Sequence, residues 1–214
     1  MMRSMPEGVR VLFSPDEIAS RVAALGEQIE REYAGRSPVL VSVLKGGTVF
    51  LADLFRHIDL AASVDFMSIS RYEESADATG VVRILKDLDH DIVGRDVIVV
   101  EDIIDTGLTL SYLLGTLRQR DPATLEVCTL LDKAVRRIAP LEIRYRGFDC
   151  PDVFAVGYGL DAGERFRNLP FIVAVERSVV GEDPDALLPL LSAEGATAAQ
   201  TQPAPDQSAG TSPD

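Results

Sequence analysis

Cysteine is scarce in this sequence. Only Cys128 and Cys150 occur among 214 residues, which excludes a disulfide framework, and Cys128 sits in an apolar run as a small buried thiol would. No apolar run approaches the roughly 20 residues a bilayer requires, so no transmembrane helix and no membrane partner are expected. Residues 1–10 lack the apolar stretch of a signal peptide, and the expected compartment is the cytoplasm. Basic residues are also few: 21 Lys and Arg stand against 34 Asp and Glu, a net charge of −13. A nucleic-acid binder needs a basic face, and this chain as a whole has none, so no nucleic-acid partner is expected. An anionic substrate would have to be met locally, by helix N-termini, a few Lys or Arg and a divalent cation. The last stretch, residues 193–214, has no Val, Ile, Leu, Phe or Tyr. It buries too little apolar surface to offset its ordering entropy and reads as a disordered acidic tail. Its three acids, Glu194, Asp206 and Asp214, account for three of the negative charges, leaving −10 on residues 1–192.

What is present suits a single domain over residues 1–192. Hydrophobic residues make up 46% and charged residues 26% of the chain, and a domain of this length buries roughly 70% of its unfolded surface without disulfides or metal. Ser14-Pro15-Asp16-Glu17 is a capping box with proline at the first helical position. Ile18, Val22, Leu25 and Ile29 follow at helical spacing, and Gly35 is placed to end that helix. Helices are also predicted over residues 48–58 and 108–118. Short apolar segments at 39–44, 64–70, 81–88, 97–100 and 125–131 read as five strands, with further short strands at 154–156 and 171–175. Strands that are apolar throughout and separated by helices predict an α/β fold, a parallel sheet of about five strands flanked by helices.

The chemistry concentrates in residues 97–109, Val-Ile-Val-Val-Glu-Asp-Ile-Ile-Asp-Thr-Gly-Leu-Thr. A buried strand ends in two acids, turns at Gly107 and enters a helix. Ligands of open α/β sheets bind beyond the carboxyl ends of strands, and a turn with Thr106, Thr109 and helix N-terminal amides has the parts of a phosphate cradle. Gly107 permits close backbone approach or a positive φ. Glu101 and Asp102 would repel a phosphate, so they should face ribose hydroxyls, a metal, or both. Asp105 is placed to act on a proton nearby. The residues alone leave a plainer alternative open, in which Asp105 caps the helix and the other acids are solvated.

The string Glu-Asp-Ile-Ile-Asp-Thr-Gly closely resembles the signature that binds phosphoribosyl pyrophosphate in type I phosphoribosyltransferases, the hypoxanthine–guanine branch in particular. The resemblance extends over roughly residues 6–180. It implies the family fold with a small hood from the chain ends. It implies that residues 104–109, Ile104, Asp105, Thr106, Gly107, Leu108 and Thr109, hold the phosphoribosyl group. Leu44-Lys45-Gly46-Gly47 resembles the family's pyrophosphate loop, whose backbone amides, at Lys45 and Gly46 here, contact pyrophosphate, often after a cis peptide before the lysine. Lys133 matches the lysine that donates to the purine 6-oxo group. In residues 154–161, which resemble the purine hood, Phe154 would stack on the base and the Ala155 backbone would meet its edge. Asp161 matches an acid that helps bind magnesium carried by pyrophosphate, so Glu101, Asp102 and Asp161 are the implied metal residues, and Arg167 matches an arginine reaching the pyrophosphate. Residues 71–80 read as a surface loop or a mobile lid. The family lid begins with adjacent Ser and Tyr, whereas Arg71 separates Ser70 from Tyr72 here. His57 reads as a helix-end residue and His90 as a surface one.

The resemblance implies a phosphoribosyltransferase of purine salvage. It would use phosphoribosyl pyrophosphate and a 6-oxopurine (hypoxanthine, guanine or both), with Mg²⁺ as cofactor and Asp105 as catalytic base, in a homodimer or homotetramer. The rival class is a non-catalytic regulator that binds phosphoribosyl pyrophosphate.

Overall fold

The computed structural model describes residues 6–71, 82–176, 178–179 and 184–192. The chain forms two compact units, one of Met1–Ser20 with Val153–Asp214 and one of Arg21–Asp152.

The capping box forms as its residue types dictate. The Ser14 amide donates to Glu17 Oε2 at 2.8 Å and the Glu17 amide to Ser14 Oγ at 3.3 Å, starting α1, Pro15–Glu32. Ile18, Val22, Leu25 and Ile29 are all buried along it.

The larger unit is built on β2 (Val39–Val43), β3 (Ser63–Arg71), β4 (Val82–Lys86), β5 (Asp96–Ile104), β6 (Thr124–Asp132) and β7 (Tyr145–Asp149), numbered after β1 (Val9–Phe13) of the other unit. Their order in the sheet is β4-β3-β2-β5-β6-β7. Five strands are parallel, and β4 joins β3 antiparallel. The sheet thus has one strand more than the sequence predicts, and an antiparallel edge. The added strand, β7, reads Tyr-Arg-Gly-Phe-Asp and has no apolar run, because it is an edge strand that buries chiefly Tyr145. The Tyr145 hydroxyl donates to Glu32 at the end of α1, at 2.8 Å. The β5 strand also runs past residue 100 through both acids to Ile104, because its register with β6 continues to Ile104 opposite Asp132.

Every residue of β2 is buried, as a strand covered on both faces requires. Helix α2 (Gly47–Arg56) packs on β2 and β5, and α3 (Leu108–Arg118) contributes Leu113 and Leu117 to a core with Val41, Val97 and Val99. Each such fully buried side chain contributes about 1.5–3 kcal/mol relative to exposure. His57 is the C-cap of α2 and His90 is exposed. Cys128 is fully buried, and burial pushes its thiol pKa up, as an inert core thiol requires.

The smaller unit, drawn from the chain ends as the hood was expected to be, holds the antiparallel sheet β1-β9-β8, with β8 Phe154–Val156 and β9 Ile172–Val175. Val9, Val11, Val156, Phe171 and Val173 form its core with Leu187 of a 3-10 segment, Pro184–Leu191. The predicted strand over 171–175 therefore begins one residue later. No described helix is long and apolar enough to cross a membrane. The expected tail, residues 193–214, and most of the expected lid, residues 72–80 with Tyr72, lie outside the described residues, as does Val81, the first residue of the expected strand 81–88.

Candidate active site

Because β2, β5 and β6 are parallel neighbours, the segments that follow them all leave the sheet at the carboxyl ends of its strands. These are residues 44–47, 105–107 and 133–139, and they carry Lys45, Asp105 and Lys133.

The first segment needs its glycines for space. A Cβ on Gly46 would lie 1.7 Å from Asp102 Oδ2, and one on Gly47 would lie 2.4 Å from Ser42 Oγ. The backbone at 46 thus runs directly against the Asp102 carboxylate, whose other oxygen accepts from the Ile103 amide at 2.7 Å. The Leu44–Lys45 peptide is cis, as the resemblance implies.

The acid pair separates by strand alternation. Glu101 lines a cavity of about 300 Å³ together with Ile103, Asp105, Thr106, Gly107 and Thr109. Asp102 is turned toward the Gly46 backbone instead. Desolvation, and secondly the Asp102 charge, hold the Glu101 carboxyl well above the usual carboxylate range. Among the described residues no three His, Cys, Asp or Glu side chains form a metal cage. Magnesium commonly takes one or two protein carboxylates and fills its other positions from water and substrate phosphates, and Glu101 on the cavity wall is a carboxylate of that kind.

The second segment is the turn into α3. Gly107 has φ +78° and is the N-cap, without a side-chain cap bond. Asp105 is therefore not the helix cap. Its Oδ1 is buried and has no hydrogen-bond partner. Arg136 Nε lies 3.0 Å from it, at ion-pair distance but off the hydrogen-bond line. The Asp105 side chain as a whole is 43% exposed and lines the cavity beside Thr106 and Gly107. Thr106, Gly107, Thr109 and Leu110 bring the start of α3 to the cavity, and Leu108 is exposed at its first position.

The third segment follows β6. Lys133 is 7% exposed, and its amide donates to Ile104 O at 3.0 Å. Asp132, before it, is 2% exposed and pairs with both Arg137 and Arg146. The sequence reading missed Asp132, Arg136 and Arg137. The adjacent Arg136-Arg137 pair, three residues past Lys133, was the available signal.

Other expected residues lie in the smaller unit. Phe154 is half-buried against that unit's core, and Ala155 is buried beside it in β8. Asp161 and Arg167, given separate roles by the resemblance, are paired at 2.9 Å. Arg167 also donates to Gly159 O at 2.8 Å and pairs with Glu164 at 3.2 Å. Ser70 and Arg71 end β3, opposite Arg83 and Val82 of β4.

Residues 13–162 match the phosphoribosyl transferase domain. The hypoxanthine-guanine phosphoribosyltransferase of Bacillus subtilis is 46% identical over 170 residues, covering 79% of this chain and 94% of that protein. That of Mycobacterium tuberculosis is 48% identical over 175 residues, covering 79% and 87%. A crystal structure of a hypoxanthine-guanine phosphoribosyltransferase from Bacillus anthracis, with a HEPES molecule in its active site, matches with a TM-score of 0.74 at 48% identity, covering 78% of this chain and 98% of that one. With its strand–acid–turn–helix site and these relatives, the chain belongs to the phosphoribosyltransferase family, in the hypoxanthine-guanine branch.

Proposed function

We propose that this chain acts in purine salvage, transferring the 5-phosphoribosyl group of phosphoribosyl pyrophosphate to hypoxanthine, guanine or both and releasing pyrophosphate. The observation that carries the chemistry is the buried Asp105 Oδ1, without an aligned donor, on the cavity lined by the phosphate-type turn.

In this reading the turn at 104–109 binds the 5′-phosphate through backbone amides, Thr106 and Thr109. The Lys45–Gly46 backbone meets pyrophosphate, and Glu101 and Asp102 serve the ribose diol and the ion that pyrophosphate brings. Magnesium, when bound, neutralises charge on the departing pyrophosphate. Asp105 takes the N7 proton of the purine, which makes N9 the better nucleophile for the anomeric carbon. Lys133 donates to the 6-oxo group. The resemblance assigns Phe154 to stacking, the Ala155 backbone to the base edge, and Asp161 and Arg167 to the pyrophosphate and its metal. Lid contacts through Ser70, Arg71 and Tyr72 belong to the same reading, as does assembly into a homodimer or homotetramer, which light scattering tests. Phosphoribosyl pyrophosphate carries too much charge to cross a bilayer unaided, which supports a cytoplasmic location.

The test is kcat/KM for hypoxanthine, guanine, xanthine and adenine at saturating phosphoribosyl pyrophosphate and Mg²⁺, followed by product absorbance. Lys133 has donors only, so a 6-amino group would meet it donor to donor. Sites built on one hydrogen bond reject such an analogue by roughly 10⁴-fold. Efficient use of hypoxanthine and guanine with adenine very poor is the expected result. Comparable adenine turnover would refute the oxopurine assignment. Binding of phosphoribosyl pyrophosphate without turnover of any base would favour the regulator instead.

A further inference from the structure

Four successive carbonyls of the phosphate turn are engaged, three of them by the segment that follows β6. Ile104 O accepts from the Lys133 amide at 3.0 Å and from Arg137 Nη2 at 3.4 Å. Asp105 O accepts from Arg137 Nε at 3.1 Å. Thr106 O accepts from the Ile138 and Ala139 amides at 2.9 and 3.1 Å. Gly107 O is used within α3, by the Ser111 amide at 2.8 Å. In a trans peptide the N–H points opposite to the C=O of the same plane. Holding the carbonyls of 104–106 on the arm therefore turns the amides of Asp105, Thr106 and Gly107 away from it.

One side chain spans this contact. The Arg137 guanidinium reaches two consecutive carbonyls and pairs with the buried Asp132 carboxylate, which Arg146 also engages. Its Cδ would lie 3.0 Å from a Cβ on Gly107, so the turn's glycine also makes room for it. A planar fork of donors suits this task and a lysine ammonium does not. The same arm begins with Lys133, so one segment grips the phosphate turn and carries the lysine assigned to the base.

We infer that Arg137 is a positioning residue for the phosphate turn. Anchored on Asp132, it preorganises the turn's amides for a 5′-phosphate and ties the turn to the Lys133 segment. This rests on the proposed function for the ligand's identity, but affinity for a nucleoside 5′-monophosphate reads it without turnover.

The test compares Arg137→Gln, Arg137→Lys and Arg146→Gln in the full chain. Arg146 shares Asp132 but bonds to none of the turn carbonyls, so it separates loss of the grip from loss of a charge on Asp132. Calorimetry gives Kd for GMP, steady-state kinetics give KM and kcat with phosphoribosyl pyrophosphate, and a thermal melt checks the fold. Displacing a positioned group by about 1 Å can cost on the order of 10²-fold. Arg137→Gln is expected to raise both the GMP Kd and the phosphoribosyl pyrophosphate KM by roughly 10- to 100-fold, with kcat changed far less, because the lost binding is shared by ground and transition states. Arg137→Lys should recover only part of this, and Arg146→Gln should stay within about twofold of the parent. If Arg137→Gln does not fold, the double variant Asp132→Asn/Arg137→Gln removes the buried carboxylate that has lost one of its two arginines, and it carries the same expectation. An Arg137→Gln or double variant with parental Kd and KM would overturn the inference, as would equal losses in Arg146→Gln. A parent that binds GMP but turns over no purine would count against the proposed function alone, since the Kd ratio still decides the role of Arg137.

Discussion

Gly46→Ala puts the pyrophosphate-type loop to a quantitative test. The new methyl would sit 1.7 Å from Asp102 Oδ2 and 2.8 Å from its Cγ, where side-chain Cβ atoms keep at least 3.0 Å. Either the loop or the carboxylate must move by roughly 1.3 Å. The carboxylate is the end of a short side chain and yields more easily than backbone, but its movement disturbs the Oδ1 bond to the Ile103 amide. The stability cost is then about one hydrogen bond with some overpacking, roughly 1–2 kcal/mol. For a chain of this size that lowers Tm by about 2–8 °C. Activity should fall further, because Asp102 and the loop amides are both displaced from where pyrophosphate and its cation are met. A displacement of this size costs on the order of 10²-fold in kcat/KM, or about 2.7 kcal/mol of transition-state binding. The assay is kcat/KM for phosphoribosyl pyrophosphate beside a thermal melt. Gly115→Ala in α3 is the control: its Cβ meets nothing within 4 Å, so that variant should gain about 0.5–1 kcal/mol and keep full activity. A Gly46→Ala enzyme within about threefold of the parent would refute both the close approach to Asp102 and the loop's role.

Asp105→Asn should keep Tm, since Asp105 is not the cap of α3, and lower kcat by roughly 10²–10⁴; a change under about threefold would remove it as the base. The Glu101 carboxyl is held above its ordinary value of 4.5, so the folded state retains a proton that the unfolded chain has released. Its ionisation therefore costs stability that is absent below about pH 4.5 and grows as pH rises toward the folded-state value. Glu101→Gln should raise the Tm of the ligand-free protein at pH 8 and do so much less at pH 5, while weakening phosphoribosyl pyrophosphate use; an equal Tm change at both pH values would contradict the burial argument. Truncation after Ser192 should leave Tm and kcat nearly unchanged, because the removed residues have no core-forming side chain; a large fall in either would show that the tail docks.

The sequence by itself was enough wherever consecutive residues make the structure. Residues 97–109 spell strand, acids, turn and helix in chain order, and α3 begins and ends where its apolar spacing places it, at Leu108 and Arg118. The capping box at Ser14 states its hydrogen bonds in four letters. The paired acids stand out in the sequence at the end of an apolar strand, and strand alternation separates them, with Glu101 on the cavity and Asp102 against Gly46. Tertiary structure decided what depends on residues far apart in the chain. Strand β1 takes its place by pairing with β9 some 160 residues later, and β7 is recognisable only from its partner β6, since an edge strand needs no apolar run. The antiparallel turn of β4 has no local signature either. The grip of Arg137 on the carbonyls of Ile104 and Asp105 joins residues more than 30 positions apart. An arginine's sequence neighbours do not reveal whether its guanidinium meets water or a turn's carbonyls. Only the parallel pairing of β5 with β6 brings the two loops together and makes that choice.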